Sequence, residues 1–395
     1  MTKVRKGRSA IFDLVGGEVS SRGSLIVESI PEERLGEFIG LAFRLYEGDP
    51  NWVPPLVANQ MGMLKGKDNA FLSESEHTFL MCFRDGLAVG RMMVAVNEPI
   101  SRKQGVPTAT FSLLEAEDGE SFSLLVSEAM RWAKGKGMKR IIGPWSPTNG
   151  EDGIGMMVMG FDDPPVLLNS YNKRWYVQSL EAMGFSKLAD YVGYKITKPD
   201  LPLESLARAS EITFQRAGVI PSKIDMSRLD DELAGMHSVM SSVFSEDWYN
   251  EMPSLEEFMK LAAPISKLAY PELVWLAKDA VKGKTVAFVV ALPDWNQVLI
   301  RMRGRVFPFG WFHYLRAKSV ITRARLMMQY CLKEYQGSSV IPALYAKVVE
   351  SAEALGLKEA EASVILETNL QSRRVLERLG GKLTRTYRWY LRDID

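Results

Sequence analysis

"LKEYQGSSVIPALYAKVVESAEAL", residues Leu332–Leu355, has the rhythm of a strand end, a tight turn and an amphipathic helix. A helix start presents unpaired backbone N–H groups and the positive end of the helix dipole, and both favour an anion. Turns that cradle a pyrophosphate this way usually carry glycines. Here Gly337 is followed by Ser338, Ser339, Val340 and Ile341. Backbone amides do such binding, so side chains matter chiefly by crowding. Ser339 is small and can cap the helix. Ile341 joins Leu344 and Val348 in a stripe that points to a core. The stretch reads either as a cradle with altered glycines or as a plain helix start.

Outward from this stretch the chain repeats itself. "LEAMGFSKLADYVGY" (Leu180–Tyr194) places Tyr191 and Tyr194 after Gly184, and "LERLGGKLTRTYRWY" (Leu376–Tyr390) places Tyr387 and Tyr390 after Gly380 at the same spacing. Each copy reads as a helix stopped by a left-handed glycine and followed by a strand. Upstream, Phe122–Gly143 and Ala343–Leu366 both run from an apolar helical face through a glycine break into a strand. Earlier still, Phe79–Val96 and Glu272–Leu292 look like strand pairs around a turn. We read a tandem duplication. The boundary falls near "ITKPDLPLES" (Ile196–Ser205), whose prolines suit a linker. Only the first half carries the insertion "PWSPTNGEDGIGMMVMGFDDPP" (Pro144–Pro165), a loop long enough to be functional or anchored.

Composition bounds the rest. An apolar fraction of 46% and a charged fraction of 25% suit a folded protein, and a net charge of +1 gives no bulk attraction to nucleic acid or membrane. The longest apolar runs are far shorter than the ~20 residues that span a bilayer. The basic N-terminus is not followed by an apolar core of signal-peptide length, and the two cysteines, Cys82 and Cys331, sit in apolar strand-like runs. The expectation is a cytoplasmic protein with reduced cysteines.

Each half runs helix, strand hairpin, strand, helix, strand, helix, strand. With the Asn-to-Gly helix and the turn at Gln336, that order resembles the GCN5-related N-acetyltransferase (GNAT) superfamily over about Leu25–Ile196 and Ile212–Arg392. "YEGDPNWVPPL" (Tyr46–Leu56), "GFDDPPVLLNSYN" (Gly160–Asn172), "ALPDWNQ" (Ala291–Gln297) and "RVFPFG" (Arg305–Gly310) are similar to a widespread bacterial family of double-module acetyltransferase-like proteins. The resemblance implies an α/β (α+β) fold of two tandem GNAT-like modules, residues 24–198 and 203–395. Each would be a twisted, mixed but mostly antiparallel sheet flanked by helices.

It also implies acetyl-CoA or another acyl-CoA as co-substrate, lying in a V-shaped opening beside the fourth strand of a module. The family's pattern of Gln or Arg, two residues, Gly, one residue, then Gly or Ala falls on Gln336–Ile341, with Ser339 and Ile341 at the small positions. Contacts are expected from Cys331, Leu332, Gln336, Gly337, Ser338, Ser339 and Val340, with Asn369 and Ser372 on the other side. In the first half Glu115, Glu117, Asp118 and Glu120 stand where the pyrophosphate would lie, so that module is expected to have lost acyl-CoA binding. The tyrosine that many members use as general acid falls at Leu376, which cannot donate a proton.

Asp294, at a strand end, and Glu246, in "FSEDWYNEMP", are the candidate catalytic residues; both residue types are also routine at turns and helix ends. "RMRGRVFPFGWFHYLRAKSV" (Arg301–Val320) interleaves arginines with aromatics and can serve nucleic acid, a membrane surface, a lid or a dimer contact; we favour the last two. His77, His237 and His313 share no ligand spacing, so no metal is expected. The reading is an N-acyltransferase moving an acetyl or acyl group to an amine of a small molecule, with no nucleic-acid or membrane partner and a homodimer allowed. Direct attack is favoured over an acyl-enzyme on Cys331. The alternatives are a tandem-module aminoacyl or long-chain acyl transferase, and a non-catalytic, degenerate GNAT binding module.

Overall fold

Strand "TVAFVVALP" is buried at every position but the first, which shows why the apolar runs lack a polar-apolar alternation: the sheet is covered on both faces. The computed structural model describes residues 23–67, 69–150, 152–197, 203–244 and 251–395. The linker residues 198–202 therefore lie outside the described residues. The first half supplies β1 (Leu25–Ile30), β2 (His77–Arg84), β3 (Leu87–Val96), β4 (Thr108–Ala116), β5 (Arg140–Gly143), β6 (Met156–Met159) and β7 (Ser186–Thr197). The second supplies β8 (Val219–Lys223), β9 (Val274–Asp279), β10 (Thr285–Pro293), β11 (Arg323–Cys331), β12 (Glu359–Leu366) and β13 (Lys382–Asp393).

These strands form one continuous sheet in the order β1-β2-β3-β4-β5-β13-β7-β12-β11-β10-β9-β8, with β6 beside β13. Only β4–β5 and β11–β12 are parallel; the other pairs are antiparallel. The two modules have exchanged their last strands. β13 lies on β5 of the first half, with Asp393 opposite Arg140, while β7 lies on β12 of the second, with Thr197 opposite Glu359.

An approximate twofold axis runs through the central β7–β13 ladder. Tyr191 stands opposite its counterpart Tyr387, and the pairs Lys382–Lys195 and Leu391–Ser186 are images of each other. The second tyrosine of each repeat explains itself here. Tyr194 donates to Glu377 at 2.7 Å and Tyr390 donates to Glu181 at 2.9 Å, each carboxylate sitting in the other module's last helix. Trp389 stacks on Trp145 with ring centroids 4.0 Å apart, and Arg388 makes a two-pronged pair with Asp190 at 2.8 and 3.0 Å. Forked pairing of this kind fixes orientation as well as charge.

The first-half insertion is clamped onto the second half by buried arginines. Arg385, 1% exposed, donates to Glu361 at 2.8 Å, to the Asp163 carboxylate at 2.7 Å and to the Pro164 carbonyl at 2.9 Å. Arg325 donates to the carbonyls of Leu167 and Ser363. Gly160 has φ +96°, and a Cβ there would meet the Thr384 carbonyl oxygen at 2.5 Å, so only glycine lets the loop lie this close to β13.

Because the modules share one sheet, they should unfold together. Trp389→Ala should cost about 3–5 kcal/mol through the lost stack and its cavity, read in calorimetry as a lower midpoint of a single transition. Two resolved transitions, only one of them shifted, would count against the exchange.

Candidate functional site

Parallel pairing of β11 with β12 covers only Arg323–Leu326 against Glu359–Ala362, and beyond that the strands splay apart. On its other edge β11 pairs Leu326 with Ala291 and Met328 with Val290, so Met327 is skipped as a β-bulge. The first half repeats the device: β4–β5 pairing stops at Thr110–Ile142, and the β3–β4 register shifts between Arg91 and Met93. Each half thus opens a wedge beside its fourth strand.

The first wedge is filled. The Tyr176 hydroxyl accepts from the Ala116 N–H at 2.7 Å, taking the strand edge that an extended ligand would need. The helix that follows, Gly119–Gly135, is capped by Asp118, which accepts from the Ser121 N–H at 3.0 Å. Burial opposes the charge on Asp118, yet hydrogen bonds from Arg84 and Ser121 outweigh it and hold the carboxyl at about 2. The other carboxylates also have partners: Glu117 pairs with Arg44 and Glu120 with Arg84, while Glu115 accepts from Tyr46 and Tyr176. A carboxylate already occupies the helix amides, which the sequence reading described only as repulsion.

The second wedge differs at each of these points. Helix Val340–Ala354 has no side-chain cap. Residues Gln336–Ser339 are exposed, and the Gln336 side chain folds back to donate to the Cys331 carbonyl at 3.1 Å. Gly337 and Ser339 both have positive φ, +83° and +65°. Ser339 therefore adopts the glycine conformation at the pattern's fourth position. Val340 is buried and Ile341 packs against the core, so neither side chain crowds the turn. Leu332 binds its amide to the Val286 carbonyl. A cleft of about 450 Å³ beside it is edged by both signs of charge, with Lys278, Lys282 and Lys284 facing Glu232, Asp279 and Glu334.

Across the mouth of the wedge runs a hydrogen-bonded chain that the sequence did not announce. The Tyr345 hydroxyl donates to Gln329, whose amide donates to Ser372 Oγ at 2.8 Å. Ser372 lies beside Gln329 of the fourth strand, whereas Asn369 caps helix Leu370–Arg378 by accepting from the Ser372 N–H. Leu376 is fully buried one turn further on. Glu361 accepts from Arg385 and from Asn169, and Asn169 also donates to Ser363 at 2.8 Å, so first-half residues reach the base of the second wedge.

Asp294 is not placed to act as a base. It is fully buried, and its oxygens accept from Arg323 at 2.7 Å and from the Leu167 and Asn296 amides. It anchors the insertion instead. Glu246 and the neighbouring Asp247 lie outside the described residues. Cys331 is buried, and burial pushes its thiol up to about 11.

No protein-family model matches the chain. A protein of Escherichia coli, YghO, is 27% identical over 370 residues, covering 91% of this chain and 93% of that one. A bacterial ceramide synthase of Caulobacter vibrioides is 28% identical over 376 residues, 93% of this chain and 96% of that one. Among solved structures, a tandem GNAT protein from the clavulanic acid biosynthesis pathway superposes with a TM-score of 0.59 at 13% identity, covering 94% of this chain and 99% of that one. The chain has the tandem GNAT fold. A GCN5-related N-acetyltransferase from Sphaerobacter thermophilus superposes with a TM-score of 0.54 at 12% identity, over 94% and 96% of the two chains.

Two measurements check this GNAT wedge. Ser339→Gly should relieve a left-handed side chain, adding about 1 kcal/mol of stability, and keep or tighten coenzyme A binding in calorimetry. Ser339→Glu should weaken binding by about tenfold or more through charge at the helix start; equal heats for both variants would mean the turn touches no phosphate. Secondly, a thiol at about 11 stays protonated at neutral pH. Iodoacetamide should leave Cys331 unmodified in the folded chain until the pH nears that value, and rapid alkylation at pH 7 would contradict the burial.

Proposed function

We propose that this protein is an acyl-CoA-dependent N-acyltransferase whose second half does the chemistry. The observation that carries the reading is the contrast between the two helix starts. In one half a carboxylate fills the first-turn amides; in the other the equivalent turn is exposed, uncapped and held in the glycine conformation. That donor set fits a pyrophosphate. The amides of Val340 and Ile341 and the Gly337–Ser339 turn would hold it. Bound acyl-CoA supplies the acyl group as a thioester.

The chain's own residues then divide the work. Met327, which the β10–β11 register skips, is our candidate to donate its amide to the carbonyl oxygen as negative charge grows there. As the amine nitrogen bonds to the acyl carbon, the carbon–sulfur bond breaks. Ser372, held by the Gln329 amide with Tyr345 behind it, donates a hydrogen bond to the departing sulfur in place of the phenol absent at Leu376, and the thiolate then takes its proton from water. The amine proton leaves to water, while the base of the wedge is fixed by buried Glu361, one residue before the splay. Arg385 and Asn169 hold it in place, which makes the first half part of the site.

A long-chain amine is the acceptor we favour. A ceramide is the amide of a fatty acid with a long-chain amino alcohol, and a relative named for making ceramide aligns over nearly the whole chain. Purified protein would be offered acetyl-CoA and palmitoyl-CoA, each with sphinganine and with ethanolamine, and the amides weighed by mass spectrometry. We expect the palmitoyl amide of sphinganine, and a Tyr345→Phe variant slowed by about 10² in kcat with KM little changed. Ethanolamine amides alone would overturn the long-chain reading. No amide from any pair would overturn the enzyme.

A further inference from the structure

Between Asp294 and Glu334 the chain has no acidic residue. Within that interval Arg301, Arg303, Arg305, Arg316 and Lys318 are all exposed, and none has an ion-pair partner among the described residues. Interleaved with them are large apolar side chains turned to solvent. Phe307, Phe309 and Leu315 are 76%, 77% and 70% exposed, and Trp311, Phe312 and Tyr314 are about half exposed. A folded chain seldom leaves so many large apolar groups in one short stretch without a use for them.

The segment is rooted. The Gly304 carbonyl accepts from the Val57 N–H of the first half at 3.1 Å, and Gly310 and Ala317 are buried. Tyr314 stacks on Trp295, and Arg316 lies over the Phe312 ring. Its short helices, Gly310–Leu315 and Ala317–Val320, lead into the start of β11. The cradle follows the other end of β11, about 30 Å away at the usual rise per strand residue. The apolar face and the phosphate turn therefore sit at opposite ends of the strand that carries the wedge.

We infer that residues 305–316 dock this protein on an anionic membrane surface. Phenylalanine, tryptophan and leucine tips enter the headgroup–acyl boundary while arginines stay at the phosphates, the arrangement of interfacial anchors. No described helix is long and apolar enough to cross a membrane, so the contact is peripheral. A second copy of the chain fits less well, because a symmetric contact would set cation against cation. Nucleic acid would leave Leu315 and Val306 without partners. The net charge of +1 hides the patch in the composition, which is why the sequence weighed against a membrane. This inference stands on exposure and charge and does not require the acyltransferase reading.

The test is flotation of the full chain with phosphatidylcholine vesicles, with and without phosphatidylglycerol, at low and high salt. We expect binding to the anionic vesicles that salt weakens, and a loss of about tenfold or more in the double variant Phe307→Ser, Phe309→Ser. The same variant should keep its melting midpoint and its heat of coenzyme A binding. No flotation with either vesicle would overturn the inference. So would a variant that floats like wild type, one whose only change is from dimer to monomer, or a single-stranded oligonucleotide that binds the patch more tightly than vesicles do.

Discussion

The antiparallel ladder between β7 and β13 is the contact on which everything else in the molecule depends. Each of these strands finishes the sheet of the module it does not belong to, so neither half owns a closed sheet. Backbone pairing gives the ladder its direction. Its register is set by side chains that meet their own counterparts, from the central tyrosines to the outer Tyr–Glu bonds. A slip of one residue would turn all of them to the wrong face. Once the ladder is set, the far edge of β12 is formed by the first half, and the Gly160–Asn169 loop is drawn over the base of the second wedge.

The pseudo-symmetry makes the chemical asymmetry easy to locate. Both halves bulge their fourth strand and splay it from the fifth, so the architecture for an extended ligand exists twice. A tyrosine and an aspartate close one copy. In the other the same places hold Ser372, which accepts from the Gln329 amide, and Ser339, a residue under left-handed strain. Such strain persists where the surroundings over-determine it, commonly at ligand sites. The first half also supports the second: Asn169 donates to Glu361, and Asp163 pairs with Arg385.

Much of this was legible in the residues. The Gly–Tyr–Tyr repeat marked the duplication, and Gln336–Gly337 marked the turn. The exchange of strands was not legible, because β7 and β13 carry the same alternation, and each would look equally at home on β5 or β12. Asp294 misled for a related reason. An acid at a strand end looks free until its partners are seen, and those partners, Arg323 and the Leu167 amide, are distant in sequence. One signal was available and passed over. Charges at alternate positions in "RARLMMQYC" and "EAEASVIL", inside otherwise apolar runs, announce buried pairing across neighbouring strands. Met327 gave no signal at all, since a bulge is a property of two strands together.

The exchange also governs how the protein can be made. As the nascent chain leaves the ribosome, β5 emerges well before the strand that covers its edge, which follows the other strands of the second half. For that whole interval the amino-terminal module carries a bare sheet edge, a template for unwanted pairing. The candidate to occupy it meanwhile is β7, which has the matching pattern and is tethered nearby. If β7 holds the place, the arriving β13 must then insert between two strands already in contact, and maturation of the protein becomes a displacement reaction rather than the simple docking of two finished domains.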